Sequence, residues 1–317
     1  MHQISPGAVP EYDELPVLDT LGMRHSWDFF GRDDQYGTLN FLTSSVITSA
    51  LSEATAGVVV SLNLPITEPS PPLFGREPTT HTFFTHDRNT WDDRLDAYFP
   101  QGSSQWDGFR HVRAREFGFF GGQGGDPATD KSWLGIDQWA RRGIVGRGVL
   151  ADVGHFLQEA GAPLQGDIET KITTELLSEV LEAQGTEIRH GDLLVVRTGW
   201  PTLYRSLSGE RRATLNKLPC FPGLFAGEQT ARWLWNLHVS ALITDVPAVE
   251  SVPGNPQDGS LHRRLLPLLG LPLGELFDLD ELSTQCRGLR RSNFLIVSAP
   301  VNLPGGCGSP SNALAIF

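Results

Sequence analysis

Short apolar runs of strand length alternate with amphipathic segments through the second half of the chain, and this pattern limits the possible folds most. The clearest helix spans residues 173–184, where apolar side chains recur on one face and Gly185 ends the segment. The apolar runs are residues 148–153, 192–198, 240–244 and 294–297. Strands that alternate with helices in this way predict an α/β or α+β single domain.

Weaker patterns predict the remaining elements. The further helices are expected at residues 44–56, 228–237, 261–269 and 276–286, and the further strands at residues 58–62, 79–85 and 313–317. Residues 118–130 are rich in glycine, which predicts a loop. Glu275 would open the helix at residues 276–286, where the helix dipole favours an acid.

Composition excludes several classes of partner. The 317 residues are 39% hydrophobic, which is enough for a large core. The net charge of −12 argues against nucleic acid and against anionic membranes as partners, because both require a basic surface. No apolar stretch approaches the roughly 18 residues of a membrane span, and residues 1–7 lack the features of a signal peptide. We therefore expect a cytoplasmic protein.

Residues 101–111 carry polar side chains at odd positions, namely Gln101, Gln105, Asp107 and His111. In an extended strand, alternate residues share a face, so these four groups would point the same way. Carboxylate oxygen and imidazole nitrogen are common ligands of Zn²⁺ and Mn²⁺, so the segment predicts one wall of a polar, metal-binding site. The alternative is a hairpin turn at Asp107, since aspartate followed by glycine favours turns.

Two further residues are candidates with an equally plausible structural role. His262 shares a helix face with Leu265 and Leu266, which is typical of a hydrogen-bonded core histidine but also suits a buried ligand or general base. Asp245 ends an apolar strand, where α/β proteins often place site residues, and it would serve equally well as a turn cap. No nucleophile elbow or phosphate-binding loop accompanies them.

Several sequence blocks, in their order and spacing, resemble the cyclase family, which includes bacterial kynurenine formamidases and isatin hydrolases. One block is Gln-Trp-Asp-Gly-Phe-Arg-His at residues 105–111. The others are residues 146–150, 191–200, 243–248, 261–266, 274–277 and 298–306. The resemblance covers about residues 30–317, so we expect an N-terminal extension at residues 1–30 and one cyclase-like domain at residues 31–317.

The resemblance implies a fold, an assembly and a chemistry. The fold is an α/β single domain of the swivelling β/β/α type, and the assembly is a homodimer or homotetramer. The chemistry is metal-dependent hydrolysis of an amide, lactam or lactone in a small molecule, with Zn²⁺ or Mn²⁺ as cofactor.

The family signature is His-x-Gly-Thr-His-x-Asp-x-Pro-x-His, and this chain departs from it. Alignment on Asp107 and His111 places Gln101 and Gln105 at the positions of two histidine ligands. Asp107 matches the aspartate ligand, and His111 matches the final histidine, which acts in proton transfer. A neutral amide oxygen is a weaker donor than imidazole, so the substitutions should lower the affinity for metal.

The resemblance also matches His262 to a downstream histidine and Glu275 to a downstream glutamate at the metal centre. Asp107, His262 and Glu275 would then be three protein ligands, and the fourth coordination position of the metal would stay open, as catalytic zinc requires. Gln105 and Gln101 are the weaker candidate ligands, and Mn²⁺ would suit this oxygen-rich set better than zinc. The residues expected to act in catalysis are His111, Glu275 and Asp107.

Aromatic residues near the motif suggest a substrate with a ring or a hydrophobic surface. The expected substrate-binding residues are Trp106, Phe109, Trp91 and Ser104. Two other functions stay open from the sequence. One is metal-independent cyclisation, dehydration or isomerisation by His111 and the carboxylates, and the other is non-catalytic binding of a small molecule.

Overall fold

The computed structural model describes residues 9–317, and a mixed nine-stranded sheet organises this part of the chain. The strands are β1 (Val17–Leu18), β2 (Met23–Arg24), β3 (Val59–Ser61), β4 (Thr80–Thr85), β5 (Trp91–Asp96), β6 (Gln105–Asp107), β7 (Ile144–Asp152), β8 (Lys171–Ile172), β9 (Leu193–Arg197), β10 (Gly223–Leu224), β11 (Ala241–Thr244), β12 (Leu273–Glu275), β13 (Asn293–Ser298), β14 (Gly308–Pro310) and β15 (Ala313–Ile316). The order in the main sheet is β14-β6-β12-β11-β9-β7-β13-β15-β3. This mixed α/β single domain confirms the expected fold class.

The centre of the sheet is parallel and the margins are antiparallel. Strands β12, β11, β9 and β7 run parallel, whereas β6 and β14 on one side and β13, β15 and β3 on the other are antiparallel to their neighbours. The apolar runs predicted as strands lie here, and β11 is buried at every residue. Parallel strands need such continuous apolar sequence because both faces are covered.

Helices surround the sheet, and several begin at a side-chain cap. They are α1 (Trp27–Phe30), α2 (Ser44–Ala50), α3 (Ile136–Arg142), α4 (Val153–Glu159), α5 (Thr174–Ala183), α6 (Trp200–Ser206), α7 (Gly209–Lys217), α8 (Glu228–Asn236), α9 (Leu261–Arg263) and α10 (Asp280–Leu289). The Thr173 hydroxyl accepts a hydrogen bond from the Leu176 N–H, and Thr43 caps α2 through the Val46 N–H in the same way. The helix expected at residues 173–184 is therefore confirmed as α5.

The helix expected at residues 276–286 is wrong at its start. Glu275 does not open a helix but ends strand β12, and α10 begins only at Asp280. Strand β12 is hydrogen-bonded to β6 on one side and to β11 on the other, and this pairing outweighs the local helical pattern. Leu276 then takes a left-handed backbone conformation (φ +53°), which turns the chain out of the strand.

The helix expected at residues 261–269 is present in altered form. Helix α9 covers three residues and continues as a π-helical turn over Arg264–Leu269. Pro267 lies inside this turn and cannot donate a backbone hydrogen bond, which explains the departure from α-helical spacing. Helix α2 is likewise shorter than residues 44–56 and ends in a 3₁₀ turn at Leu51–Glu53.

The segment before residue 31 packs against the rest of the molecule. Tyr12, Leu15 and Trp27 are buried in the main hydrophobic core. The Trp27 indole N–H donates to the backbone oxygen of Pro267 at 2.6 Å. The domain boundary at residue 30 stays a prediction, and residues 1–8, including those used for the signal-peptide prediction, lie outside the described residues.

Strands β4 and β5 form a hairpin that lies apart from the main sheet, and most of its side chains are exposed. Trp91, with 67% of its surface exposed, is one of its large apolar side chains. Across residues 9–317, no helix is both long and apolar enough to cross a membrane.

Candidate metal and catalytic centre

Strand β6 places Gln105 and Asp107 on one face of the sheet, but the strand is shorter than the sequence predicted. It covers only residues 105–107, so the expectation of one strand through residues 101–111 is wrong in extent. The chain turns after Asp107, and the His111 N–H donates to the Gly108 oxygen at 2.9 Å. The turn brings His111 Nε2 to 3.8 Å from Asp107 Oδ2. The two side chains therefore meet through the turn that the Asp-Gly dipeptide favours.

The Asp107 carboxylate is fully buried, and neither of its oxygens accepts a hydrogen bond from any described residue. Burial alone would raise the pKa of Asp107, but the nearby charges of His111 and His262 outweigh burial and lower it from the ordinary value. A buried carboxylate without donors is costly unless a cation neutralises it. Asp107 is therefore charged, and it has two imidazole rings nearby but no hydrogen-bond donor to either oxygen.

His262 lies at the start of α9 and faces three carboxylates. Its Nδ1 is 2.6 Å from Glu250 Oε2, and its Nε2 is 3.0 Å from Glu275 Oε1 and 3.7 Å from Asp107 Oδ2. Burial would lower the pKa of His262, but Glu250 and Glu275 outweigh burial and hold it well above the usual value. The Glu250 contact fixes the orientation of the ring, so that Nε2 points toward Asp107 and Glu275.

Glu275 ends β12 directly opposite Gln105, its partner in the strand register. Its Oε2 accepts a hydrogen bond from Gln105 Nε2 at 2.7 Å, and its Oε1 accepts one from the Val249 N–H at 2.9 Å. Burial, together with the charge of Asp107, raises the pKa of Glu275 to about 7. A carboxyl group with this pKa exchanges a proton readily at neutral pH.

Asp107, His111 and His262 form a possible metal site, because one ligand atom from each lies within 4.8 Å of the other two. Aspartate oxygen with two imidazole nitrogens is a common donor set for Zn²⁺ and Mn²⁺. Gln105 adds a fourth group, since its buried Oε1 has no hydrogen-bond donor among the described residues. The orphaned oxygens of Asp107 and Gln105 therefore fit a bound divalent cation.

Two other expected ligands, Glu275 and Gln101, are not among these three residues, and a ligand role for Glu275 stays a prediction. Gln101 lies before β6. Its amide nitrogen packs against Gly308 of β14, close enough that a Cβ at Gly308 would lie 2.6 Å from it. Gly308 pairs with Asp107 in the sheet, so Gln101 is next to the centre. A ligand role for Gln101 stays a prediction.

The residues expected to bind substrate do not gather around the centre. Trp106 points to the opposite face of β6, is fully buried and donates its indole N–H to Ser298 Oγ at 2.9 Å. Phe109 is buried against Phe120 and Trp139.

Ser104 and Trp91 are the other two residues that were expected to bind substrate. The Ser104 hydroxyl is used inside the protein, since it donates to the Leu276 oxygen and accepts from the Leu64 N–H. Trp91 lies on the exposed β4–β5 hairpin. Substrate binding by any of the four residues stays a prediction.

Asp245 caps a turn. Its carboxylate accepts hydrogen bonds from the Thr198 N–H, the Thr198 hydroxyl and the Gly199 N–H. Burial raises the pKa of Asp245 to about 6, although Arg197 nearby opposes the shift. Of the two roles considered for Asp245, the geometry favours the structural one.

Two further residues near the candidate centre, Glu250 and Arg76, were not predicted from the sequence. Glu250 holds His262 from outside the cluster, and its own pKa is lowered because the charge of His262 outweighs the effect of burial. Arg76 lies close enough for its charge to act on both Asp107 and Glu275. Neither residue stands in a recognisable motif, and each is brought to the centre by the path of a loop, so no signal in the sequence indicates them.

The family is shown by two comparisons. The sequence model of the Cyclase family matches residues 47–251. A crystal structure described as a novel cyclase is 30% identical, with a TM-score of 0.80 over 92% of this chain and 99% of that one. The chain belongs to the Cyclase family. A search of curated protein sequences gave no match.

More distant structures share the fold of this cyclase-family protein. Isatin hydrolase A from Labrenzia aggregata, bound to benzyl benzoate, is 17% identical, with a TM-score of 0.59 over 86% of this chain and 97% of that one. A Bacillus stearothermophilus protein described as a "predicted metal-dependent hydrolase" is 17% identical, with a TM-score of 0.50 over 82% of this chain and 98% of that one. At this level of identity, these neighbours show the shared fold.

Proposed function

We propose that this protein is a metal-dependent hydrolase that opens an amide, lactam or lactone bond in a small, aromatic or hydrophobic molecule. The observation that carries the proposal is the Asp107 carboxylate, which is fully buried, has no hydrogen-bond donor among the described residues and faces two histidines. A cation between these groups would give the Asp107 oxygens the direct contact that no donor of the described residues supplies.

Asp107, His111 and His262 are the residues that would hold the cation, with Gln105 Oε1 as an additional neutral oxygen. A divalent cation supplies Lewis acidity, which activates water and polarises a carbonyl. When Glu250 accepts the Nδ1 proton of a neutral His262, the lone pair of that ring lies at Nε2. Glu250 therefore selects the tautomer that a ligand histidine requires.

Glu275 is the proposed proton carrier. Its pKa of about 7 allows it to take a proton from water and to return one to the leaving nitrogen or oxygen. Gln105 and the Val249 N–H hold its two oxygens in place. His111 is the most exposed member of the cluster, with 30% of its side-chain surface accessible, so its ring is the edge of the centre that a substrate would meet first.

The proposed substrate class follows from isatin hydrolase A, whose named substrate contains a lactam ring next to an aromatic ring. The half-buried Arg76 supports it as well, because a guanidinium group that acts on Asp107 and Glu275 is placed to attract the carboxylate formed when the ring opens. The expected homodimer or homotetramer and the expected cytoplasmic location stay predictions.

The test is turnover of a substrate panel by protein loaded with Mn²⁺ or Zn²⁺. The panel contains isatin, an N-formyl aniline and an aromatic lactone, and Asp107→Asn serves as the inactive control. We expect turnover of at least one compound, loss of that turnover after chelation, and recovery when metal is added back.

Two other results would each contradict the proposal. Full activity after exhaustive chelation would favour metal-independent cyclisation, dehydration or isomerisation by His111 and the carboxylates. Tight binding of a panel compound without any turnover, with metal bound, would favour a binding protein.

A further inference from the structure

A cavity of about 400 Å³ lies where β7 meets α4, α5 and α10. It shares no lining residue with the candidate centre. Strand β7 is separated from β12 by β9 and β11, and three strand spacings correspond to about 14 Å. The cavity volume is within the range of small-molecule sites, which is about 300–1,000 Å³.

The floor of this cavity is held by hydrogen bonds within the protein. Gln184 Oε1 accepts from the Asp152 N–H at 2.8 Å, and Gln184 Nε2 donates to the Leu150 oxygen at 2.6 Å and to Ser292 Oγ at 2.7 Å. The Asp152 carboxylate is paired with Arg197 at 2.8 Å. The polar groups of the floor therefore have partners, and the walls between them are apolar, with Leu150 and Phe156 among them.

The basic groups of the cavity come from the end of α10. Arg287, Arg290 and Arg291 all line it, against the acids Asp152 and Glu159. Arg197 is shared between Asp152 and Asp280, Arg287 lies 3.9 Å from Asp152, and Arg291 lies 3.8 Å from Glu53. Among the described residues, Arg290 is therefore the arginine of this cavity that has no ion pair. An unpaired guanidinium group at a cavity can attract a small anion.

The three arginines differ in how they are held. Arg287 Nη1 donates to Ser283 Oγ at 2.7 Å, and Arg291 Nη2 donates to the Glu53 oxygen at 2.6 Å. The guanidinium of Arg290 has no hydrogen bond or ion pair with another described residue. Its backbone is left-handed (φ +54°) at the end of α10, where glycine or asparagine is usual. The structure thus places an unpaired arginine at the cavity in a conformation that its side chain does not favour.

We propose that this cavity is a binding site for a small organic anion, with a carboxylate or sulfonate group at the arginines and an apolar body against Leu150 and Phe156. An apolar wall beside a cationic group is a common construction of such a site. The proposal does not depend on the proposed hydrolase activity, since no residue of the candidate centre takes part.

The probe is 1-naphthoate, titrated into the purified full-length protein by calorimetry, with the neutral 1-naphthamide as its matched counterpart. We expect saturable binding of one naphthoate per chain and at least tenfold weaker binding of the amide. Arg290→Glu is expected to weaken naphthoate binding about tenfold, and Arg290→Lys by no more than about threefold, because lysine keeps the charge.

Two further variants locate the bound probe. Ala183→Phe fills the cavity from α5 and is expected to abolish binding, whereas Asp107→Asn is expected to leave it unchanged. The proposal is overturned if naphthoate does not bind saturably, if the amide binds equally well, or if Arg290→Glu has no effect. Binding that is lost in Asp107→Asn would assign the probe to the candidate centre and would also overturn the proposal.

Discussion

The contact between Glu250 and His262 gives the sharpest prediction. Glu250 Oε2 lies 2.6 Å from His262 Nδ1, and both side chains are about 15% exposed, so water cannot easily replace either partner. A hydrogen bond to a charged group contributes about 1.5–3 kcal/mol, and tenfold in affinity corresponds to about 1.4 kcal/mol. Loss of an outer partner of a ligand histidine typically lowers metal affinity 10–100-fold. Glu250→Ala is therefore expected to weaken metal binding by that factor.

The assay is competition for Mn²⁺ or Zn²⁺ against a chelator of known affinity at constant pH. Glu250→Gln keeps a neutral acceptor for the Nδ1 proton and is expected to lose about threefold to tenfold. The matched control is Glu169→Ala, which removes a carboxylate that contacts Ser251 rather than His262. If Glu250→Ala binds metal within twofold of the wild type, the reasoning that Glu250 orients a ligand histidine is refuted.

Three further outcomes follow from the same geometry. In the metal-free protein, native Glu275 keeps its proton up to about pH 7, whereas the unfolded chain releases it above about pH 4.5. The free energy of unfolding should therefore fall by on the order of 3 kcal/mol as the pH rises through this window. Thermal melts of Glu275→Gln should lack that decline. Gln105→His should raise zinc affinity at least tenfold in chelator competition, because imidazole nitrogen is the better donor; unchanged affinity would place Gln105 outside the site. Trp106→Phe should lower stability by about 1–2 kcal/mol in denaturant titrations through loss of the bond to Ser298, with metal binding unchanged; loss of metal would contradict its placement on the opposite face.

The sequence predicted the parts of the fold that depend on local pattern. Helix α5 was predictable from its apolar face, its threonine cap and Gly185, and strands β9 and β11 were predictable from their apolar runs. Strand β12 was not predictable, because Leu273–Glu275 is extended only through its pairing with β6 and β11. Local propensity carries no information about such distant partners.

The residues of the candidate centre were likewise predictable where they stand in a sequence motif and not predictable elsewhere. Asp107 and His111 were found because they stand in one short motif, and His262 was found through the resemblance of its block. Glu250 was missed, because its contact with His262 depends on how the loop before α9 folds. The aromatic residues near the motif were expected to face the centre, but Trp106 points away because successive residues of a strand alternate between faces.

The proposed function requires that Asp107, His111 and His262 hold a divalent cation. The most direct measurement is the metal content of purified protein after reconstitution with Mn²⁺ or Zn²⁺ and removal of the excess, for the wild type and for Asp107→Asn side by side. We expect about one metal ion per wild-type chain and none in Asp107→Asn. If the wild type retains no metal, or if Asp107→Asn retains as much as the wild type, these three residues do not hold the cation.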